Sequence, residues 1–368
     1  MGCYDMMVQL LDHQQTEVDF EAFVAQTDSA TQAIAHLKQE WEQLVKQAAF
    51  DQAAARTNVY TEASYYNTTA GPYNPFETSV KFEWQETLGK GTYGEVHKVR
   101  ETSTGTFYAH KVIRVSDPRS RPTVEQQVLN EVTIMQKLRH HHIASVQFHV
   151  FEGDTYGLFM LPVAECDLRQ FLRSCADDGF PRTQLMHLTT WFGCLVGAMD
   201  FAHSKQIKHE DVKPSNILIK DHQPYLADFG CAKDFSGLES STSLDTMTFG
   251  TPVYWPPEGQ PRGRAADIFS LGCVFSEMLT VRHKRSLEDY QSYRRVAHRE
   301  NAYAFRENLD KVHDWLDDLI PDRDSVSTLL KDQTFRMLQR TAERRPDAKN
   351  IKRRLRIEGE IVFCTSCY

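Results

Sequence analysis

The sequence predicts an α+β fold in which a strand-rich part precedes a larger, mostly helical part. Residues 107–113 alternate in the manner of a β-strand. Residues 184–204 instead repeat apolar side chains at helical spacing, densely enough for a helix in a protein core. With 368 residues, the chain is long enough for two lobes or domains that each bury a sizeable core.

The composition excludes several classes of protein. The net charge of −8 argues against non-specific binding of nucleic acid as the main function. No apolar run reaches the roughly 18–20 residues of a membrane-spanning helix, and the first residues lack the pattern of a secretory signal. Eight cysteines in a chain of this size indicate reduced thiols, so we expect a cytoplasmic or nuclear protein.

Residues 1–57 predict a helical extension, and residues 58–81, which contain glycine and proline, predict a linker. Within residues 30–48, apolar side chains recur at helical spacing along one side: Ala30, Ile34, Leu37, Trp41, Leu44 and Ala48. This run is too short to predict a dimeric coiled coil. A helical hairpin, a helical partner and self-association all remain open.

Residues 357–368 predict a C-terminal tail that carries a CxxC pair, Cys364 and Cys367. A zinc site needs further ligands at suitable spacing, and none stands nearby in the sequence. Residues 140–142 are three adjacent histidines, but adjacent side chains on a loop do not converge well on one ion. We therefore expect a mobile tail with reduced thiols and a structural histidine segment.

Gly89, Gly91 and Gly94 have the spacing of a loop that covers phosphate groups, because glycine lets the backbone approach them closely. Glycines can also simply mark a hairpin. Lys111 follows on the alternating strand, and Glu131 follows on a helix with one apolar face. Taken alone, each of these two residues could equally be an exposed surface charge.

Residues 208–230 concentrate the polar groups that phosphoryl transfer requires. Asp211, Lys213, Asn216 and Asp228 alternate with apolar residues, which predicts a polar cluster on a buried, strand-like frame. Two carboxylates, an amide and a cation can orient a hydroxyl, bind a metal ion and neutralise a moving phosphoryl group. Either carboxylate alone could instead belong to a structural polar network.

In this order, the motifs resemble those of the eukaryotic-type protein kinase family, serine/threonine-like. The resemblance covers residues 82–356 and implies a bilobal kinase fold. It implies a small antiparallel lobe with one main helix at 82–161, a hinge at 162–165 and a mostly helical lobe at 166–356. The sequence departs from the family at Glu210, where arginine is most common.

The resemblance implies that ATP and Mg²⁺ bind between the lobes. Asp211 would be the catalytic base, Lys213 would neutralise the γ-phosphate, and Asn216 and Asp228 would hold Mg²⁺. Lys111, paired with Glu131, would orient towards the α- and β-phosphates. The residues assigned to the nucleotide are Leu88, Gly89, Lys90, Gly91, Thr92, Tyr93, Gly94, Val96, Ala109, Lys111, Pro162, Ala164 and Asp167.

The resemblance also implies protein substrates, because Lys213 and Thr251 are typical of serine/threonine kinases. It implies a pair between Glu258, at the end of the activation segment, and Arg345. A pseudokinase acting as an ATP-binding scaffold is the alternative, but it requires a defect in a catalytic residue, and the sequence shows none. A small-molecule phosphotransferase is less favoured, since the end of this segment serves a peptide substrate.

Glu210 predicts unusual control of activity. Arginine at this position meets a phosphate on the activation segment, whereas glutamate would repel one. We expect a contact between Glu210 and Lys233 that orders the segment without phosphorylation. An exposed Glu210 without a role is the equally open alternative.

Overall fold

The structure is a computed structural model. It describes residues 81–367 except 92–93, 116–117, 153, 235–250, 260–262, 296–301 and 321–323. The helical extension predicted for residues 1–57, with its apolar side at 30–48, lies outside the described residues. Within the described ranges, no helix combines the length and apolar character that crossing a membrane requires.

The first part of the described chain is a five-stranded antiparallel sheet with one long helix. The strands are β1 (Phe82–Gly91), β2 (Gly94–Glu101), β3 (Phe107–Arg114), β4 (Ser145–Glu152) and β5 (Thr155–Leu161), in the order β1-β2-β3-β5-β4. Helix α1 (Arg121–Lys137) connects β3 to β4, and its second residue, Pro122, suits the first turn of a helix. Val128 and Val132 of α1 pack with Ile113, Tyr156 and Leu158 of the sheet.

The second part is mostly helical and contains the larger core. Its helices are α2 (Leu168–Asp177), α3 (Arg182–Ser204), α4 (Arg264–Arg282), α5 (Leu287–Arg294), α6 (Leu309–Leu319), α7 (Ser325–Met337) and α8 (Ala348–Leu355). Helix α4 is buried from Ala266 to Val281, and this stretch includes the polar side chains of Asp267, Ser270 and Glu277 among its apolar residues. The α+β fold with two lobes, predicted from the sequence, is confirmed.

In the described part of the chain, five further strands, each two to four residues long, lie between β5 and α4 in the sequence. They form one sheet in the order β6-β8-β9 and one pair, β7 with β10: β6 (Cys166–Asp167), β7 (Ile207–Lys208), β8 (Ile217–Lys220), β9 (Gln223–Leu226) and β10 (Lys233–Asp234). Asn216 and Asp228, the two predicted metal ligands, lie next to the ends of β8 and β9.

The C-terminal tail packs on α3, so the expectation of a mobile tail is wrong. A 3₁₀ helix spans Arg356–Val362, and Val362 and Phe363 are buried. The tail backbone comes so close to α3 that a Cβ atom at Gly193 would lie 2.2 Å from the Val362 carbonyl oxygen. Burial of two apolar side chains holds the tail where the sequence alone predicted solvent exposure.

Candidate active site

A tight hairpin brings the two predicted metal ligands together. Asn216 directly precedes β8 and Asp228 follows two residues after β9. The antiparallel pairing places Ile217 opposite Leu226, and the Ala227 amide donates to the Asn216 carbonyl at 2.9 Å. Because a hairpin returns the chain to its starting point, residues twelve positions apart meet at one end of it.

Lys111 lies between two carboxylates. Its Nζ donates to Glu131 Oε1 at 2.8 Å and to Asp228 Oδ1 at 3.0 Å. Burial would lower the pKa of Lys111, but the charges of Glu131 and then Asp228 outweigh it and raise this pKa. In return, the ammonium of Lys111 lowers the pKa of Asp228. The ion pair expected between Lys111 and Glu131 is therefore present, and Lys111 also forms an ion pair with Asp228 from the other lobe.

Asp211 is the centre of a second polar network. Its Oδ2 accepts from Lys213 Nζ at 2.7 Å and from Asn216 Nδ2 at 3.1 Å, while its Oδ1 accepts from Thr251 Oγ1 at 3.0 Å. Lys213 Nζ also donates to Thr251 Oγ1 at 2.8 Å. The structure thus joins the three predicted residues to Thr251, which comes from the far end of the activation segment.

The backbone before Asp211 is held by Asp267, in the first turn of α4. Asp267 Oδ2 accepts from the His209 amide at 2.9 Å, and Oδ1 accepts from the Glu210 amide at 2.8 Å. His203 Nε2 lies 2.9 Å from Oδ2. Burial would raise the pKa of Asp267, but the hydrogen bond and charge of His203, followed by the charge and backbone amide of His209, lower it overall. A carboxylate thus fixes the peptide groups that present Asp211.

His209 and Phe229 form an apolar stack beside these two networks. His209 and Phe229 lie 4.6 Å apart between ring centroids, and His209 Nε2 lies 2.9 Å from the Ala227 carbonyl. Met135 of α1 belongs to the same buried cluster as Phe229. Helix α1, which carries Glu131, therefore shares an apolar core with Phe229, the residue after Asp228.

Glu210 forms a buried ion pair with Lys208, so the alternative of an exposed Glu210 is wrong. Lys208 Nζ lies 3.0 Å from Glu210 Oε1, and the two side chains are 1% and 3% exposed. Glu210 has a left-handed backbone with φ of 64°. Lys233 stands opposite Lys208 in the pairing of β7 with β10. The contact expected between Lys233 and Glu210 stays a prediction.

The glycine-rich segment forms the hairpin between β1 and β2. Gly91 pairs with Gly94, and Thr92 and Tyr93 between them lie outside the described residues. A Cβ atom at Gly94, whose φ is +153°, would lie 1.8 Å from the Val112 carbonyl oxygen, so only glycine fits. Val96 stands opposite Lys111 in the sheet, and Ala109 lies on β3 two residues before Lys111, opposite Lys98.

The rest of the assigned nucleotide residues are in the connection from β5 to α2. Pro162 and Ala164 are half-buried in the segment between β5 and β6. Asp167 caps α2, where its side chain accepts from the Gln170 amide at 2.8 Å, and Gln170 reciprocates. Asp167, which the resemblance assigns to the nucleotide, therefore also caps α2. The aspartate followed three residues later by glutamine was the available signal.

Glu258 and Arg345 meet as expected. Arg345 Nη1 and Nη2 donate to the two carboxylate oxygens at 2.7 and 2.6 Å, and Nη1 also donates to the Ala265 carbonyl at 3.0 Å. The two-point geometry matches the planar guanidinium to the planar carboxylate. It anchors the end of the activation segment to the helical lobe.

Known proteins resemble this chain over the same region. A family model for the protein kinase domain matches residues 82–355. Among curated relatives, a cyclin-dependent kinase 4 homolog of Caenorhabditis elegans is 34% identical over 54% of this chain and 50% of its own length. The mitogen-activated protein kinase kinase kinase A of Dictyostelium discoideum is 30% identical over 55% and 21%. The cyclin-dependent kinase C-2 of Oryza sativa subsp. japonica is 31% identical over 54% and 41%. The chain spans half or less of the length of these relatives.

Proposed function

Because this chain belongs to the protein kinase domain family, we propose that it transfers the γ-phosphoryl group of ATP to serine or threonine hydroxyls of protein substrates. The observation that supports this best is the convergence of two networks, Lys111–Glu131–Asp228 and Asp211–Lys213–Thr251. Together they contain the cations and carboxylates that phosphoryl transfer needs on both sides of one cleft. Cyclin-dependent and other protein kinases among the relatives support the same activity.

In this proposal, Asp211 orients the substrate hydroxyl and receives its proton. Lys213, 2.7 Å from Asp211, supplies positive charge to the transferred group. Thr251 holds the other oxygen of Asp211 at 3.0 Å, which fixes the direction of the carboxylate. Lys111, positioned by Glu131, neutralises the phosphates that remain on the leaving nucleotide.

Asn216 and Asp228 fit a magnesium ion. Asn216 uses its Nδ2 to donate to the carbonyl oxygen and Oδ2 of Asp211, which leaves its amide oxygen as the ligand atom. The Asp228 side chain is 48% exposed, and Lys111 binds its Oδ1. Carboxylate and amide oxygens are the hard ligands that Mg²⁺ prefers. A bound Mg²⁺ would supply positive charge to the phosphate oxygens.

We further propose that activity does not depend on a phosphate held by the residue at 210. The Glu210 carboxylate forms a buried ion pair with Lys208, and Asp267 accepts hydrogen bonds from the backbone amides of His209 and Glu210. These contacts hold the segment before Asp211 in place without a phosphate group. Phosphatase-treated protein should keep its activity; a loss of activity after phosphatase treatment would contradict this proposal.

The free thiols of the described cysteines further support the proposed cytoplasmic or nuclear location, which imaging of a fluorescent fusion would test.

The central test is transfer of radiolabelled γ-phosphate from ATP to a library of serine and threonine peptides. We expect incorporation that requires Mg²⁺ and falls by roughly 10²–10⁴-fold in Asp211→Asn, which removes the general base. Nucleotide binding by Asp211→Asn, measured by thermal shift, should persist. If wild-type protein incorporates no more label than Asp211→Asn while still binding ATP, the scaffold alternative is correct.

A further inference from the structure

Three cysteines and a histidine converge in the helical lobe, outside the cleft residues. They are His142, Cys194, Cys364 and Cys367, and their ligand atoms all lie within 4.8 Å of one another. His142 Nε2 lies 3.2 Å from Cys364 Sγ, and the Cys364 amide donates to Cys194 Sγ at 3.4 Å. His142 and Cys194 are buried, whereas the two tail cysteines are half-buried. This cluster is hereafter the Cys₃His cluster.

The cluster is assembled from three segments that are far apart in the sequence. His142 lies on the loop after α1, Cys194 lies in α3, and the other two form the CxxC pair of the tail. No second pair of ligands stands near the CxxC pair in the sequence, because His142 and Cys194 precede Cys364 by 222 and 170 positions. Gly193, next to Cys194, is where α3 admits the tail backbone. Packing of the tail therefore places the CxxC pair against the other two ligands.

The ligand set suits a tetrahedral zinc ion. Three thiolates with one imidazole form one of the common sets for structural zinc, and a CxxC pair is the usual source of two of them. Zn–S bonds of about 2.3 Å and Zn–N bonds of about 2.1 Å place tetrahedral ligand atoms ~3.5–3.8 Å apart. The observed upper limit of 4.8 Å is close to that spacing. Small side-chain rotations would complete the site.

The orientation of His142 also suits metal binding. Its Nδ1 lies 2.8 Å from the carbonyl oxygen of Pro224. Because a carbonyl can only accept, Nδ1 carries the proton, and the lone pair of Nε2 points to the cysteines. A backbone carbonyl that fixes the second ring nitrogen is a regular feature of zinc-bound histidine.

We propose that the Cys₃His cluster binds one zinc ion that fastens the C-terminal tail to the helical lobe. Four protein ligands close the coordination sphere, which is the arrangement of a structural site and not of a catalytic one. The His142 backbone pairs with Leu226, two residues before Asp228, through the hydrogen bond from the Leu226 amide at 2.9 Å. The ion therefore also holds the loop that supports the strand leading into the active site. This proposal does not depend on the proposed activity.

Metal analysis of the untagged, full-length protein by mass spectrometry tests the site directly. We expect one zinc per chain in wild type, and loss of that zinc in Cys367→Ser and in His142→Gln. The matched controls are the adjacent exposed residues, Ser366→Ala and His141→Gln, which should retain it. Circular dichroism of each variant verifies that it is folded. Zinc retained by both ligand variants would place the ion elsewhere and overturn the proposal.

Cobalt substitution tests the ligand types. In wild type, Co²⁺ should give the absorption of a tetrahedral site together with thiolate-to-metal charge transfer, and Cys367→Ser, which loses the metal, should show neither band. Intact mass under non-reducing conditions tests the rival chemistry. A disulfide between cluster cysteines, or wild-type protein that binds neither zinc nor cobalt, would overturn the proposal.

A chelator should lower the melting temperature of wild type but not of Cys367→Ser.

Discussion

At the scale of single residues, the candidate active site contains one cation that two carboxylates share. Lys111 is held by Glu131 from α1 and by Asp228 from the opposite lobe. Glu131 is 3% exposed, so water screens its attraction for Lys111 only weakly. The position of the ammonium group is therefore set mainly by Glu131, which makes that residue the sharpest target for mutation.

Glu131→Gln should lower phosphoryl transfer by roughly 10²-fold, because a displacement of the positioning group by about 1 Å has that order of effect. The affinity of the protein for ATP should fall less than the rate does. Steady-state kinetics with ATP as the varied substrate measures both. Glu125→Gln, the same change on the same helix, is the control and should leave the rate at the wild-type value. Equal rates for the two variants would contradict the assigned role.

His110 predicts a specific pH dependence of stability. It is fully buried and stacked on Phe159, and burial, with a smaller contribution from His97, lowers its pKa to about 3. The unfolded chain binds a proton at this histidine below about pH 6.5, whereas the folded protein does not until about pH 3. The free energy of unfolding therefore falls as the pH falls through this window, and is unaffected above it.

Between pH 7 and pH 5, this histidine should lower the free energy of unfolding by about 2 kcal/mol. His110→Gln does not titrate, so its loss over the same interval should be smaller by about that amount. Urea unfolding at the two pH values measures the difference. The exposed His141→Gln should keep the wild-type dependence on pH. Identical slopes for wild type and His110→Gln would show that another group is responsible.

At the scale of elements, helix α3 contains two glycines with different surroundings, one close to the tail and one next to open space. A Cβ atom at Gly193 would meet the Val362 carbonyl oxygen at 2.2 Å and the Phe363 ring at 2.5 Å, both belonging to the tail. At Gly197, one turn later, a Cβ atom would have no neighbour within 4 Å. Glycine is costly within a helix, so its presence at 193 is explained by the approach of the tail, whereas nothing in these contacts explains it at 197.

Gly193→Ala should displace the tail and lower the free energy of unfolding, by about 1–3 kcal/mol as in other overpacked cores. Gly197→Ala should instead raise it by about 0.5–1 kcal/mol, because alanine favours the helix. Thermal or urea unfolding of the two variants gives the comparison. The explanation fails if Gly193→Ala is as stable as Gly197→Ala.

At the scale of the whole molecule, contacts between distant segments close the helical lobe. Glu258 and Arg345 are 87 residues apart, and the Arg345 side chain is 0% exposed. The same guanidinium group donates to the carbonyl oxygens of Ala265, Gln339 and Arg340. One side chain thus connects the end of the activation segment, the start of α4 and the loop before α8.

Glu258→Gln should lower the free energy of unfolding by about 3–5 kcal/mol, since it leaves the buried Arg345 without its counter-charge. Denaturant unfolding measures this cost. Glu307→Gln, a change of the same kind at a residue whose side chain is 44% exposed, should cost less than about 0.5 kcal/mol. A similar small cost for Glu258→Gln would show that the pair contributes little.

The sequence by itself determined the fold class and the candidate residues of the cleft. Alternation in β3 and helical spacing in α3 are local properties, and the proposed chemistry follows from the order of Lys111, Glu131, Asp211, Asn216 and Asp228 along the chain. Only the tertiary structure decided the partner of Glu210 and the capping role of Asp167, since both depend on backbone direction. It also decided the Cys₃His cluster, because no local pattern encodes a meeting of residues 170 and 222 positions apart. That meeting results from packing of the tail on α3.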